Sequence, residues 1–210
     1  MENIENINIT KFIYKNNNSL SFNLCVDLIK MFEEENGKYE GLTRGGLDKN
    51  VKDTTDFIIP KHNEKWDKIN KLLDREIKNN LKKYLDELNN KPDFENKDQN
   101  TLSKYRILEN VKFFHDNYMI QRYLKGKGKY IYHNDFSINY ENQSYRAITY
   151  LWYLNDVDEG GETVFFGDYK IKPKAGTLIF FPSSWCYPHT GKMPLSSNKY
   201  IITGWLYVKY

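Results

Sequence analysis

Apolar residues recur along this chain with two different periods. Between residues 19 and 37 the period is helical: Leu24, Leu28, Met31 and Phe32 lie three or four apart or side by side on one stripe. Ser19 or Ser21 can cap the start of that helix, and Gly37 ends it. From 63 to 90 the same period is clearer. Trp66, Ile69, Leu73, Ile77, Leu81, Tyr84 and Leu88 make one face, and Lys, Glu, Asp and Asn fill the other. Such a stripe needs a partner, most simply the outer face of a β-sandwich. Both charge signs mix on the polar face, which argues against a helix lying on a membrane. Pro92 follows the expected end.

From His115 onward the period shortens to that of strands. Segments 117–124, 130–136, 145–154, 163–166, 169–172, 177–181, 187–190 and 199–208 are rich in Tyr, Ile, Phe, Val and Thr, with short turns between them. Gly160-Gly161 and the run Pro173 to Gly176 are turn signals. Eight strands of this length fit two sheets rolled face to face, a double-stranded β-helix of the jelly-roll class. The expected architecture is mainly β with flanking helices, in a single domain over 1–210. N-terminal helical support would occupy 1–114 and the β-helix core 115–210.

Less regular stretches separate these elements. Residues 1–18 predict a short strand and a turn, and 93–110 an irregular segment with a short helical turn. Residues 38–60 hold Gly41, Gly45 and Gly46 and a mixed set of charges: Arg44, Asp48, Lys49, Lys52 and Asp53. They predict an exposed loop between short strands. It is either a solvated connection or a mobile flap that closes over a site near Arg146 and Trp205.

Composition narrows the partners. At 210 residues, with 40% hydrophobic and 16% aromatic content, the chain can build a full core. A net charge of +3 is too small to argue for nucleic acid or a membrane surface, and no basic patch is interleaved with aromatics. No apolar run approaches the ~20 residues that span a bilayer. The first ten residues lack a signal peptide's apolar region. The expectation is a cytoplasmic or otherwise intracellular protein with neither nucleic acid nor membrane as partner. Cys25 and Cys186 are far apart and are expected to be reduced.

The candidate chemistry lies in the strand-rich third. His133 and Asp135 are two apart, so on a strand they share a face. His189 comes from another strand and completes a set of two imidazoles and one carboxylate, which suits non-haem Fe(II) with three positions left open. His-x-Asp alone is a weak signal. A distal His and a basic residue, Lys199, on later strands strengthen it. Zinc hydrolysis is a competing use of such ligands, but no helical His-Glu-x-x-His pattern is present. Cys186 lies an odd number of residues before His189, which aims it at the opposite face and leaves it out of the set. His115 reads as structural or exposed.

Several motifs in order carry a resemblance. They are Tyr123-x-x-Gly126-x-Gly128-x-Tyr130-x-x-His133-x-Asp135, then Arg146 to Asn155, then Gly160-Gly161-Glu162-Thr163, Pro173-x-x-Gly176, Pro188-His189, Lys199 and Thr203-x-Trp205. The stretch 121–208 resembles the Fe(II)- and 2-oxoglutarate-dependent prolyl hydroxylases of the prolyl 4-hydroxylase family; residues 1–110 show no comparable match. The resemblance implies a dioxygenase that hydroxylates a C–H bond, most readily in prolyl residues of a peptide or protein, and releases succinate and CO2. It implies Fe(II), 2-oxoglutarate and O2, with ascorbate as an accessory. His133, Asp135 and His189 would hold iron. Lys199, Tyr123, Tyr153 and Thr203 would hold 2-oxoglutarate, and Arg146, Trp205 and Tyr130 would face the substrate. The stretch 191–198 departs from the family's usual Pro-Val and Gly, which loosens the substrate assignment more than that of the co-substrate. Alternatives are hydroxylation of another amino acid or a small molecule, and a metal-free β-helix binding module.

Overall fold

The computed structural model describes residues 9–89, 108 and 110–210. Pro92 and almost all of the expected irregular segment 93–110 lie outside the described residues. A 3-10 turn at Ile9–Phe12 leads into strand β1 (Tyr14–Asn16). Helix α1 (Phe22–Glu34) follows, capped by Ser21, whose side chain accepts from the Leu24 amide. Three short strands come next: β2 (Tyr39–Glu40), β3 (Lys52–Asp53) and β4 (Thr55–Ile58). Helix α2 spans Glu64–Asn89. The strand-rich part contains β5 (Phe114–His115), β6 (Met119–Tyr123), β7 (Lys129–His133), β8 (Ile138–Asn139) and β9 (Ser144–Tyr153). It continues with β10 (Thr163–Phe165), β11 (Tyr169–Ile171), β12 (Leu178–Pro182), β13 (His189–Gly191) and β14 (Lys199–Lys209). Each of the eight expected strands is present.

The strands form two sheets, as a jelly roll requires. The larger runs β1-β12-β9-β14-β6-β4-β2, with β5 also on β14 and β8 on β9. The smaller runs β11-β10-β13-β7-β3. Alternation along the central strands divides the core in two. Tyr150, Trp152, Leu178, Phe180, Ile202 and Leu206 join a cluster with Cys25, Leu28 and Phe32 of α1 and Trp66, Leu73 and Tyr84 of α2. Their neighbours Leu151, Tyr153, Ile179, Phe181 and Ile201 point the other way, into a second cluster with Phe165 and Ile171 of the smaller sheet. The helices therefore cover one face of the larger sheet, and the space between the sheets is left for the second core and the site.

The upstream part does more than supply helices. β1, β2 and β4 extend the larger sheet and β3 extends the smaller one. The stretch 38–60, without period in the sequence, thus contains three strands. Lys52, expected on an exposed loop, is buried, with 4% of its surface exposed. These strands are too short for alternation to reveal them, and their pairing partners lie far away in sequence. Asn80 is a second polar exception. It sits on the buried face of α2, accepts from Tyr14 and Asn16, and donates to the Glu76 carbonyl.

The segment before α1 is tied down at the β11–β12 turn. The amides of Ser19 and Leu20 both donate to the Gly176 carbonyl. Gly176 has φ +81°, and a Cβ there would stand 2.1 Å from the Leu20 carbonyl oxygen. Gly176→Ala is expected to destabilise the fold by about 2 kcal/mol or more, from left-handed strain plus the clash. Thermal unfolding of the variant beside the wild type measures this.

Candidate active site

Cross-strand register assembles the site. His189 on β13 is the direct partner of His133 on β7, although 55 residues stand between them in the sequence. Asp135 follows two residues after His133, just past the end of β7. One Asp135 oxygen lies 3.8 Å from His133 Nε2, and the other 3.7 Å from His189 Nε2. The three ligand atoms fall within 4.8 Å of one another, close enough to converge on one ion. Each Nδ1 is within hydrogen-bonding distance of a backbone carbonyl, His133 to Ile131 at 2.8 Å and His189 to Tyr187 at 3.1 Å. With Nδ1–H donating there, each Nε2 lone pair faces the centre.

The electrostatics suit a cation. Burial, and then the adjacent His189, hold the His133 imidazole down at about 4, so it is neutral at pH 7. Burial pushes the Asp135 carboxyl up, but His189, His133 and the Thr149 hydroxyl outweigh it, and the net direction is down. Thr149 Oγ1 donates to Asp135 at 2.8 Å and lies 2.9 Å from Ser183 Oγ. Aromatic rings pack the rest. Tyr130 stacks on His133 at 3.5 Å between centroids, and Phe165 and Phe181 flank His189.

These ligands line a cavity of about 880 Å³ between the sheets. At its inner end stands Lys199, with 1% of its surface exposed. Its Nζ donates to the Gly161 carbonyl at 3.0 Å and lies 3.9 Å from the Tyr123 ring centroid. No carboxylate among the described residues forms an ion pair with it. Burial therefore pulls its pKa down to about 7, against a weak upward pull from Glu162. A buried lysine without an acid partner costs stability unless a ligand supplies the anion. The residues present thus fit a small dicarboxylate held between this cation and the metal ligands.

Residues 118–207 match the family model described as the 2OG-Fe(II) oxygenase superfamily. That stretch, less than half of the chain, has the sequence of a 2OG-Fe(II) oxygenase domain. With it comes the chemistry of a 2-oxoglutarate-dependent dioxygenase, and the family implies Fe(II), 2-oxoglutarate and O2. No curated protein matches the chain. Among solved structures, the fold is similar to that of a viral collagen prolyl hydroxylase from Paramecium Bursaria Chlorella virus-1, with TM-score 0.59 and 22% identity over 93% of this chain and 96% of that one. It is also similar to a prolyl hydroxylase from Trichoplax adhaerens, bound to a peptide fragment of the hypoxia inducible factor oxygen degradation domain. That match has TM-score 0.69 and 20% identity over 94% of this chain and 84% of that one. A Pseudomonas putida prolyl-4-hydroxylase gives TM-score 0.61 and 17% identity over 92% and 91%.

In this oxygenase the expected site residues sort by position. Tyr123, Lys199 and Thr203 line the cavity, and so do Tyr130, Arg146 and Trp205. The Arg146 guanidinium stacks on the Trp205 ring at 3.5 Å, and the buried Trp205 indole N–H has no acceptor among the described residues. Tyr153 does not line the cavity. Its hydroxyl donates to Thr163 at 2.7 Å, and Thr163 is the residue that borders the space. Thr203 donates to the Tyr150 carbonyl, which leaves its hydroxyl oxygen able to accept. Cys186 is exposed and outside the ligand cluster.

Residues that the sequence reading passed over complete the oxygenase site. Thr149 shares the inward parity of Leu151 and Tyr153, a signal that was present but unused. Gln121 shares the parity of Tyr123 in the same way, whereas Ser183 and the Lys52–Asp56 pair gave no comparable signal. Thr149→Val is expected to weaken divalent metal binding about 10- to 100-fold by removing the hydroxyl that orients Asp135, with the fold retained. Titration of the protein with Fe(II) or Mn(II) under nitrogen checks this.

Proposed function

We propose that this dioxygenase hydroxylates prolyl residues of a peptide or protein, with 2-oxoglutarate converted to succinate and CO2. One observation carries the proposal: a single cavity joins the His133, Asp135 and His189 cluster to the unpaired cation of Lys199 and to the Arg146–Trp205 stack. The likeness to three solved prolyl hydroxylases supports the substrate class, and the Trichoplax enzyme is seen with a peptide.

Each residue has a task in this scheme. His133, Asp135 and His189 hold Fe(II), which supplies the oxidative step with dioxygen and 2-oxoglutarate. Lys199 pairs with the distal carboxylate of 2-oxoglutarate, assisted by the hydroxyls of Tyr123 and Thr203. Thr163 takes the wall position expected of Tyr153, which stands behind it. Arg146, Trp205 and Tyr130 border the substrate; the free Trp205 N–H offers a hydrogen bond to a peptide carbonyl. Rings around His189 keep water from the reacting centre. Ascorbate is an accessory reductant in this scheme. No helix among the described residues is long and apolar enough to cross a membrane.

Incubation with proline-containing peptides, Fe(II) and 2-oxoglutarate is expected to give a gain of one oxygen by mass spectrometry, with succinate formed in step. His133→Ala is expected to abolish both products while leaving the circular dichroism spectrum unchanged. Turnover on free amino acids or small molecules, with none on any peptide, removes the prolyl assignment.

The co-substrate pocket predicts a pH dependence. The empty-site Lys199 pKa of about 7 means that ammonium dominates below pH 7 and neutral amine above it. A bound carboxylate favours ammonium, so binding above pH 7 takes up a proton. Affinity for 2-oxoglutarate is therefore expected to fall as pH rises from 7 to 9. Lys199→Arg keeps its charge throughout, so its weaker binding is expected to stay flat over that range. Calorimetric titration of the Mn(II)-loaded protein at several pH values measures both curves.

A further inference from the structure

A buried polar chain runs from the co-substrate end of the cavity to the loop at its rim. Lys52 and Asp56 are both buried, at 4% and 1% exposure, and their side chains meet at 2.6 Å. They stand on different sheets: Lys52 pairs across to Tyr130 in the smaller sheet, and Asp56 to Gln121 in the larger. The ion pair thus clamps the corner where the chain changes sheets. Thr54 sits at that corner and donates to the other Asp56 oxygen at 2.7 Å.

The chain extends both ways from Asp56. Towards the co-substrate, Gln121 Nε2 donates to Asp56 at 3.1 Å, and Gln121 Oε1 accepts from the Tyr123 hydroxyl at 3.4 Å. The ring of Tyr123 lies under the Lys199 ammonium. Towards the rim, Lys52 Nζ donates to the Leu42 carbonyl at 3.3 Å. Leu42, Thr43 and Arg44 border the mouth of the same cavity. The contact is close: a Cβ on Gly41 would fall 2.0 Å from Thr54 Oγ1 and 3.0 Å from Lys52 Cε.

A buried ion pair is an expensive way to stabilise a corner, since an apolar pair of similar volume often does as well or better. A link between two sites gives it a use that an apolar pair lacks. We propose that Asp56 and Gln121 are positioning residues that couple the 41–51 loop to the co-substrate pocket, so that 2-oxoglutarate binding sets the rim that meets the peptide. The proposal rests on Lys199 and Tyr123 holding 2-oxoglutarate. When the Tyr123 hydroxyl turns to the co-substrate, its hydrogen bond to Gln121 changes, and Asp56 and Lys52 carry that change to the Leu42 carbonyl.

Trypsin reads the coupling directly, because Arg44 and Lys49 are exposed on the loop. In the Mn(II)-loaded protein, saturating 2-oxoglutarate is expected to slow cleavage at these two residues. Gln121→Leu cuts the chain without leaving a charge unpaired. It is expected to bind 2-oxoglutarate about fivefold more weakly, the equivalent of one net hydrogen bond, and at saturation to lose the protection of the loop. A purely structural role predicts a lower unfolding temperature with binding and protection unchanged. Asp56→Asn exposes the Lys52 charge and threatens folding, so Lys52→Met/Asp56→Leu is the companion variant. It is expected to fold, bind 2-oxoglutarate and show the same cleavage rate with and without it. In the hydroxylation assay both Gln121→Leu and the double variant are expected to raise the peptide KM more than they lower kcat. Loop cleavage in the wild type that ignores bound 2-oxoglutarate, or full protection in both variants, overturns the coupling while the dioxygenase assignment stands. A calorimetric titration that shows no 2-oxoglutarate binding at all overturns both.

Discussion

The structure depends on the register of β14 between β9 and β6. That pairing sends every second side chain of three adjacent strands to the same side. Tyr150, Trp152, Ile202 and Leu206 meet the helices, while Leu151, Tyr153, Ile201 and Thr203 face the smaller sheet. A slip of β14 by one residue would turn Lys199 to the side of Phe32 and send Tyr200 and Ile202 into the cavity. Both alternatives bury the wrong group, so the register is strongly held. Gly204 helps to fix it, because a Cβ there would stand 2.1 Å from the Tyr150 hydroxyl.

The site follows from that register with little further help. Direct pairing of β7 with β13 sets the two imidazoles side by side, and the carboxylate arrives two residues later. The larger sheet contributes the Thr149 hydroxyl, which hydrogen-bonds Asp135, and the buried amine of Lys199. Each sheet thus brings one half of the chemistry. The polar groups stand at two ends: a carboxylate with two imidazoles in the middle of the cavity, and at its base a lysine with no ion-pair partner among the described residues. A ligand with one chelating and one distal carboxylate satisfies both at once.

Much of this was legible in the linear sequence. Long apolar stripes announce α1 and α2, because a helix must bury a face of fixed period. The eight main strands were legible from β-branched and aromatic content between turn signals, and His133, Asp135, His189 and Lys199 from motif spacing. The resemblance placed Tyr153 beside the co-substrate, but strand alternation does not say how deep the cavity wall is, and Tyr153 stands behind it. Its hydroxyl is taken by Thr163, a residue on another strand. Within 38–60 the sequence announced a loop between short strands, but not where those strands lie or which strands they join. Two or four residues hold too little pattern, and their form comes from hydrogen bonds to β6 and β7.

The sequence by itself determined the two long helices and the eight main strands, and it named His133, Asp135 and His189, whose ligand atoms the structure brings within 4.8 Å of one another. These properties depend on local period and residue type, which a linear chain displays. Only the tertiary structure decided that Lys52 is buried, that Thr149 donates to Asp135, and that Gln121 bonds both Asp56 and Tyr123. Most of those contacts join distinct segments with no fixed separation in sequence, and burial of a charge depends on where its partner stands.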